Sequence, residues 1–163
     1  DGTRRLVDVA SRLGIALEGV QSARLAHLDG DGRLDLVVVK RSSVSVWPGA
    51  VQGTFGFPVF RERLQAGHAV AVADVDGRLG LDLFVVQACS GPQNRNIDDR
   101  LYLDAGPGWG WDEARLPAGI AGCGDTAEAL DLDGDGVDDL VVGNGQWSAR
   151  GPIQVLTSGR YWG

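Results

Sequence analysis

Three times along this chain an apolar run enters a short loop of aspartates and glycines, and a second apolar run leaves it. The loops close on Asp35, Asp82 and Asp139, 47 and 57 residues apart. Ala23 to Leu28, Ala69 to Val75 and Ala127 to Leu132 lead in, and Leu36 to Val39, Leu83 to Val86 and Leu140 to Val142 lead out. The flanks are rich in β-branched residues, which fit a pleated strand better than a helix. A unit of about this length recurring three times predicts repeated supersecondary structure.

The third loop is the most complete. Asp131, Asp133, Asp135 and Asp139 stand at positions 1, 3, 5 and 9, with Gly136 at position 6. Four carboxylates this close repel one another unless a cation sits among them. Hard oxygen ligands at such density suit calcium, which takes six to eight oxygens in flexible geometry. Val137, at position 7, is expected to offer its backbone carbonyl, and Gly136 to supply the positive φ of a tightly wrapped loop.

The other two loops are weaker copies. In the first, Asp29, Asp31 and Asp35 keep positions 3, 5 and 9, Arg33 holds the carbonyl position, and His27 replaces the first aspartate. His27 reads either as a weak, pH-sensitive ligand or as an imidazole satisfied elsewhere. In the second, Asp74, Asp76 and Asp82 keep positions 1, 3 and 9, but Arg78 stands at position 5. Its guanidinium can occupy the cation's place, so no ion is expected there. The expectation is therefore calcium in the third loop and in the first, with Asp74, Asp76 and Asp82 as weak ligands.

Two rival readings apply. An EF-hand needs a bidentate glutamate at position 12 and flanking helices. Position 12 is Val142 in the third loop and Val38 in the first, and the flanks read as strands. The EF-hand is rejected. A metal-free Asp/Gly hairpin turn explains the glycines, but a turn does not require four carboxylates.

Charge and composition narrow the function. The net charge is −7, and half of the 22 acidic residues lie in the three loops. The acidity is local and ion-directed. No basic run with interleaved aromatics is present, which argues against nucleic acid. No apolar run approaches the ~20 residues needed to span a bilayer. The first residue is Asp1 rather than Met, as expected of a processed or trimmed piece. Cys89 follows one strand and Cys123 precedes another. If the units pack side by side, these ends share a face and can form a disulfide; the alternative is two free thiols. A disulfide and millimolar calcium both belong outside the reducing cytosol, in an extracellular or periplasmic setting.

Four strands are predicted per unit. The first unit has Ala23–Leu28, Leu36–Lys40, Val44–Trp47 and Phe57–Arg61. The second has His68–Ala73, Leu83–Gln87, Leu101–Leu103 and Ala114–Leu116. The third has Thr126–Leu130, Leu140–Gly143, Ile153–Leu156 and a remnant at Tyr161–Gly163. Arg5–Ala10 reads as a strand without a partner.

The pattern Asp-x-Asp-x-Asp-Gly-x-x-Asp-Leu followed by a β run resembles the FG-GAP/VCBS repeat of integrin-α-like β-propellers. Asp1-Gly2-Thr3 with Leu6 to Ala10, the turn Gly53-Thr54-Phe55-Gly56, and Arg100 to Leu103 resemble the family's outer strand, turn and following strand. The resemblance implies an all-β fold of four-stranded antiparallel blades, with the calcium loop joining the first two strands of each. Blades are expected at about 22–66, 67–120 and 121–163, with 3–10 as a displaced outer strand. Propellers close with four to eight blades, so about three blades need completion. Either a second copy closes a six-bladed ring, or further blades lie on a missing segment or another chain.

The resemblance implies a secreted calcium-binding module for adhesion, binding or scaffolding, with a protein or glycan partner and a structural ion. The alternative is a lectin-like propeller. Trp109 and Trp111 are the aromatic platform to test, and packing between blades is the competing role for both. An accessory domain of an extracellular enzyme has little support. No Gly-x-Ser-x-Gly, phosphate loop or zinc spacing is present, and no catalytic residue is expected.

Overall fold

The computed structural model describes residues 6–78, 80–89, 97–104, 110–114, 116, 123–145 and 152–157. Its strands form three antiparallel sheets. The first holds β1 (Val20–Ala26), β2 (Asp35–Lys40), β3 (Ser43–Trp47) and β4 (Phe60–Arg63) in chain order. The second holds β5 (Gly67–Ala73), β6 (Asp82–Gln87), β7 (Arg100–Asp104) and β8 (Trp111–Ala114) in the same order. The third holds β9 (Thr126–Leu130), β10 (Asp139–Gly143) and β11 (Gln154–Leu156), with β10 central. Each acidic loop joins the first two strands of its sheet.

Strand alternation explains the stacking. Successive side chains point to opposite faces of a sheet, so the continuous apolar run of β6 serves two interfaces. Val37, Val39, Val44 and Val46 of the first sheet pack against Val70, Leu83, Val85, Tyr102 and Trp111 of the second. Phe60 adds edge-on contacts to Tyr102 and Trp111, with ring centroids 5.4 and 5.1 Å apart. The residues between, Phe84 and Val86, turn the other way with Ala69 and Ala71. They meet Ala127, Leu140 and Val142 of the third sheet. First strands lie side by side, β1 beside β5 and β5 beside β9.

Two cross-links hold the end remote from the loops. Gln87 is buried at the end of β6, where its Oε1 accepts the backbone N–H groups of Gln65 and Ala66 at 2.9 and 3.2 Å. This ties the linker after the first sheet to the second. Cys89 and Cys123 form a disulfide with Cα atoms 4.6 Å apart, joining the exit of β6 to the entry of β9.

Several expectations shift. Residues 6–9 form no strand, so the predicted strand over 5–10 does not appear in its described part. A turn follows directly. Leu13 and Ile15 donate to the carbonyls of Val9 and Ala10, both at 3.0 Å, while Leu13 O accepts Phe55 N–H at 3.2 Å. The fourth strand of the first sheet begins at Phe60 rather than Phe57. Pro58 has no N–H to give a ladder, and Phe57 is left exposed. In the second sheet the last strand is Trp111–Ala114, earlier than predicted, because Trp111 pairs with Asp104. The remnant predicted at 161–163 lies outside the described residues, as does Trp109.

Candidate metal centre

The last aspartate of each loop is the first residue of a central strand, and each is buried. A buried carboxylate must be hydrogen-bonded, and here the loop itself supplies donors. Asp35 Oδ2 accepts Leu28 N–H at 2.8 Å, Asp82 Oδ2 accepts Val75 N–H at 2.9 Å, and Asp139 Oδ2 accepts Leu132 N–H at 3.0 Å. The other oxygen reaches the end of the third strand in the first two sheets. Asp35 Oδ1 accepts Gly49 N–H, and Asp82 Oδ1 accepts Asp104 N–H, both at 2.8 Å. Position 9 therefore staples the loop to its sheet before any cation is considered.

In the third loop the carboxylates of Asp131, Asp133 and Asp139 converge, with one oxygen from each within 4.8 Å of the others. Asp131 organises the wrap: its Oδ1 accepts Gly134 N–H at 2.7 Å and Asp135 N–H at 3.1 Å, and its Oδ2 accepts Gly136 N–H at 3.0 Å. Such a turn passes through left-handed backbone, with φ of 79° at Gly134 and 89° at Gly136, which glycine adopts at little cost. Asp135 is not one of the converging three. Its Oδ1 accepts Val137 N–H at 2.9 Å.

The second loop brings Asp74, Asp76 and Asp82 together to the same 4.8 Å limit. Arg78 does not fill the centre. Its side chain is 77% exposed, and its Nε lies 3.4 Å from Asp76 Oδ2. That Asp76 oxygen is buried and takes no hydrogen bond. Burial raises the Asp82 carboxyl above the ordinary carboxylate range, and the nearby charges of Asp76 and Asp74 push it the same way. Three converging carboxylates, one of them paired only with a largely exposed arginine, are a donor set that fits a hard divalent cation.

The first loop does not gather its carboxylates into such a group. His27 Nδ1 bonds the Arg33 carbonyl at 2.8 Å, the oxygen expected as the position-7 ligand. The Arg33 guanidinium pairs with Asp31 and reaches Gly49 O at 3.2 Å. Asp29 Oδ1 is engaged by Asp31 N–H at 2.9 Å. The hydrogen bond from Arg33 N–H, helped by the guanidinium, holds the Asp31 carboxyl below its ordinary range. A side-chain cation, Arg33, thus pairs with one of the carboxylates expected to hold calcium in this loop. The signal was visible as an arginine two residues beyond Asp31, but its direction was not.

Trp111, expected as a candidate platform, is instead a core residue. Its indole N–H donates to Leu81 O at 3.0 Å, and its ring packs edge-on against Phe60. Trp109 lies outside the described residues. Among the described residues no helix is long and apolar enough to cross a membrane.

Stacked antiparallel sheets, each with an acidic loop between its first two strands, define a blade-repeat protein with cation-type hairpins. The chain matches the FG-GAP-like repeat over residues 27–85 and the FG-GAP repeat over residues 124–156, more than half of its length. It belongs to the FG-GAP repeat family. No curated protein matches it.

Proposed function

We propose that this chain is a calcium-stabilised, non-catalytic section of a β-propeller that acts outside the reducing cytosol as a binding or adhesion scaffold. The observation that carries this reading is the convergence of Asp131, Asp133 and Asp139 within a matched FG-GAP repeat. Calcium there neutralises the triad and fixes the hairpin between β9 and β10. The ion is structural: it sets strand register and leaves ligand recognition to loops on the blade ends. The Cys89–Cys123 disulfide supports an oxidising compartment.

The two outermost sheet faces support completion by further blades. Leu25 of the first sheet is 55% exposed, and Leu130 and Val155 of the third are 44% and 53% exposed. These faces correspond to the ones that stacking covers in between. A second copy or blades of a larger propeller would cover them, and a protein or glycan ligand would bind the finished ring. The lectin alternative loses Trp111 as an accessible ring.

Calorimetry on metal-stripped protein tests the reading. Calcium binding in the third loop that is lost in Asp131→Asn and Asp133→Asn is expected. A flat calcium isotherm for the stripped, folded chain would overturn it.

A further inference from the structure

The geometry points to Asp138 as a positioning residue that couples cation binding in the second and third loops. This inference rests on the calcium reading above, and it concerns a residue that belongs to neither carboxylate triad. Asp138 N–H donates to Asp74 O at 2.8 Å, and Asp74 N–H donates back to Asp138 Oδ2 at 3.2 Å. The pair is 64 residues apart in sequence and bridges two sheets. Both backbone polar groups of Asp74, itself a member of the second triad, are thus held by one residue of the third loop. Asp138 stands between Val137 and Asp139, so the same contact fixes the backbone that presents the third site. The loops also touch nearby: a methyl added at Gly77 would come within 3.1 Å of Val137 Cγ2.

The equivalent position in the other loops supports a specific role. It is leucine in both, Leu34 and Leu81, which cannot return a side-chain hydrogen bond. The bridge therefore joins the two loops whose carboxylates converge, and the first loop, with its internal arginine, stands apart. Two physical effects compete. Divalent ions in adjacent loops repel, and each ion weakens the negative potential that attracts the other. Opposing this, an ion in one loop orders backbone shared with the other, so the second ion orders less. Salt screens the repulsion in part, whereas the bridge is a direct contact that salt leaves in place. Positive coupling is the result, and thermodynamic linkage makes it reciprocal.

Calcium calorimetry at 0.15 M KCl on the metal-stripped chain tests this. Two ions are expected, with the second binding at least ~5-fold more tightly than independent sites allow. Asp76→Asn should weaken the third loop, and Asp133→Asn the second, by that same factor. D138A should abolish both cross effects, and D138N, which keeps an acceptor oxygen but no charge, should retain them. If D138A does not fold, the two cross effects and D138N decide. Two independent sites, anticooperative sites, calcium in one loop only, or D138N behaving as D138A would each overturn the coupling while leaving calcium binding intact. No calcium uptake at all would instead remove the reading on which it rests.

Discussion

Asp35 and Gly49, fourteen residues apart, are joined by a hydrogen bond of 2.8 Å from the Gly49 N–H to the buried carboxylate. The other oxygen of Asp35 holds Leu28 N–H at the same distance. One side chain thus ties the acidic loop, the central strand and the end of β3 into a unit. The same arrangement recurs at Asp82 with Val75 and Asp104.

Asp35→Ala is therefore expected to destabilise the fold independently of metal. Hydrogen bonds to a charged group contribute about 1.5–3 kcal/mol each, so losing two costs roughly 3–6 kcal/mol. Urea denaturation in the presence of a chelator measures it. A loss below ~0.5 kcal/mol would show that the staple contributes nothing.

Calcium should raise the melting temperature. A ligand at 100 times its dissociation constant stabilises by about 2.7 kcal/mol, or about 5–10 °C for a chain of this size. Differential scanning calorimetry with and without chelator reads the shift. Asp131→Asn combined with Asp133→Asn should remove most of it, and an unchanged shift would place the ion elsewhere.

The first loop can be converted. His27→Asp frees the Arg33 carbonyl and restores a carboxylate at position 1, and Arg33→Ala removes the internal cation from Asp31. The double variant is expected to bind one calcium equivalent more than the parent chain. Stoichiometry from calorimetry checks this, and no added equivalent would mean that Arg33 and His27 are not what occupies the loop.

The Cys89–Cys123 bond closes a loop across 34 residues. Chain-entropy estimates for such a loop give about 4 kcal/mol. Cys89→Ser with Cys123→Ser should lower stability by roughly that amount in guanidinium unfolding. A matching loss on adding reductant to the parent chain is expected, and equal stability with and without reductant would refute it.

Asp99 should make stability pH-dependent. Its carboxyl is buried, with Oδ1 on Gln87 N–H at 2.7 Å and Oδ2 without a hydrogen bond. Burial pushes it up to about 7, against about 3.9 in an unfolded chain. Below pH ~4 both states hold the proton; between ~4 and 7 only the folded chain keeps it. Its contribution therefore falls as pH rises through this window, by up to ~4 kcal/mol. Asp99→Asn should stabilise the protein at pH 8 relative to the parent and make little difference at pH 4. Parallel pH–stability curves for the two proteins would contradict this.

The repeat and its chemistry were legible because they are local. Alternation of apolar residues, glycines at tight turns and aspartates at fixed spacing are set within a dozen residues. They placed β1, β2, β5, β6, β9 and β10 to within a few residues and singled out Asp131, Asp133 and Asp139. Outer strands were less legible. Phe60–Arg63 and Trp111–Ala114 are short, and their bounds follow from partner strands and from Trp111 entering the core.

What the sequence determined by itself is the number of units, their β character and the acidic loop in each, since these follow from short-range pattern. Which loops assemble three carboxylates was a tertiary outcome. Arg33 folds back on Asp31 and Gly49, while Arg78 stays largely in solvent, and both are arginines beside aspartates in the chain. The contact of Asp138 with Asp74 and the burial of Trp111 likewise arise only when separate sheets stack. A side chain's partner in such places is set by which surface arrives opposite it, and sequence spacing holds no record of that.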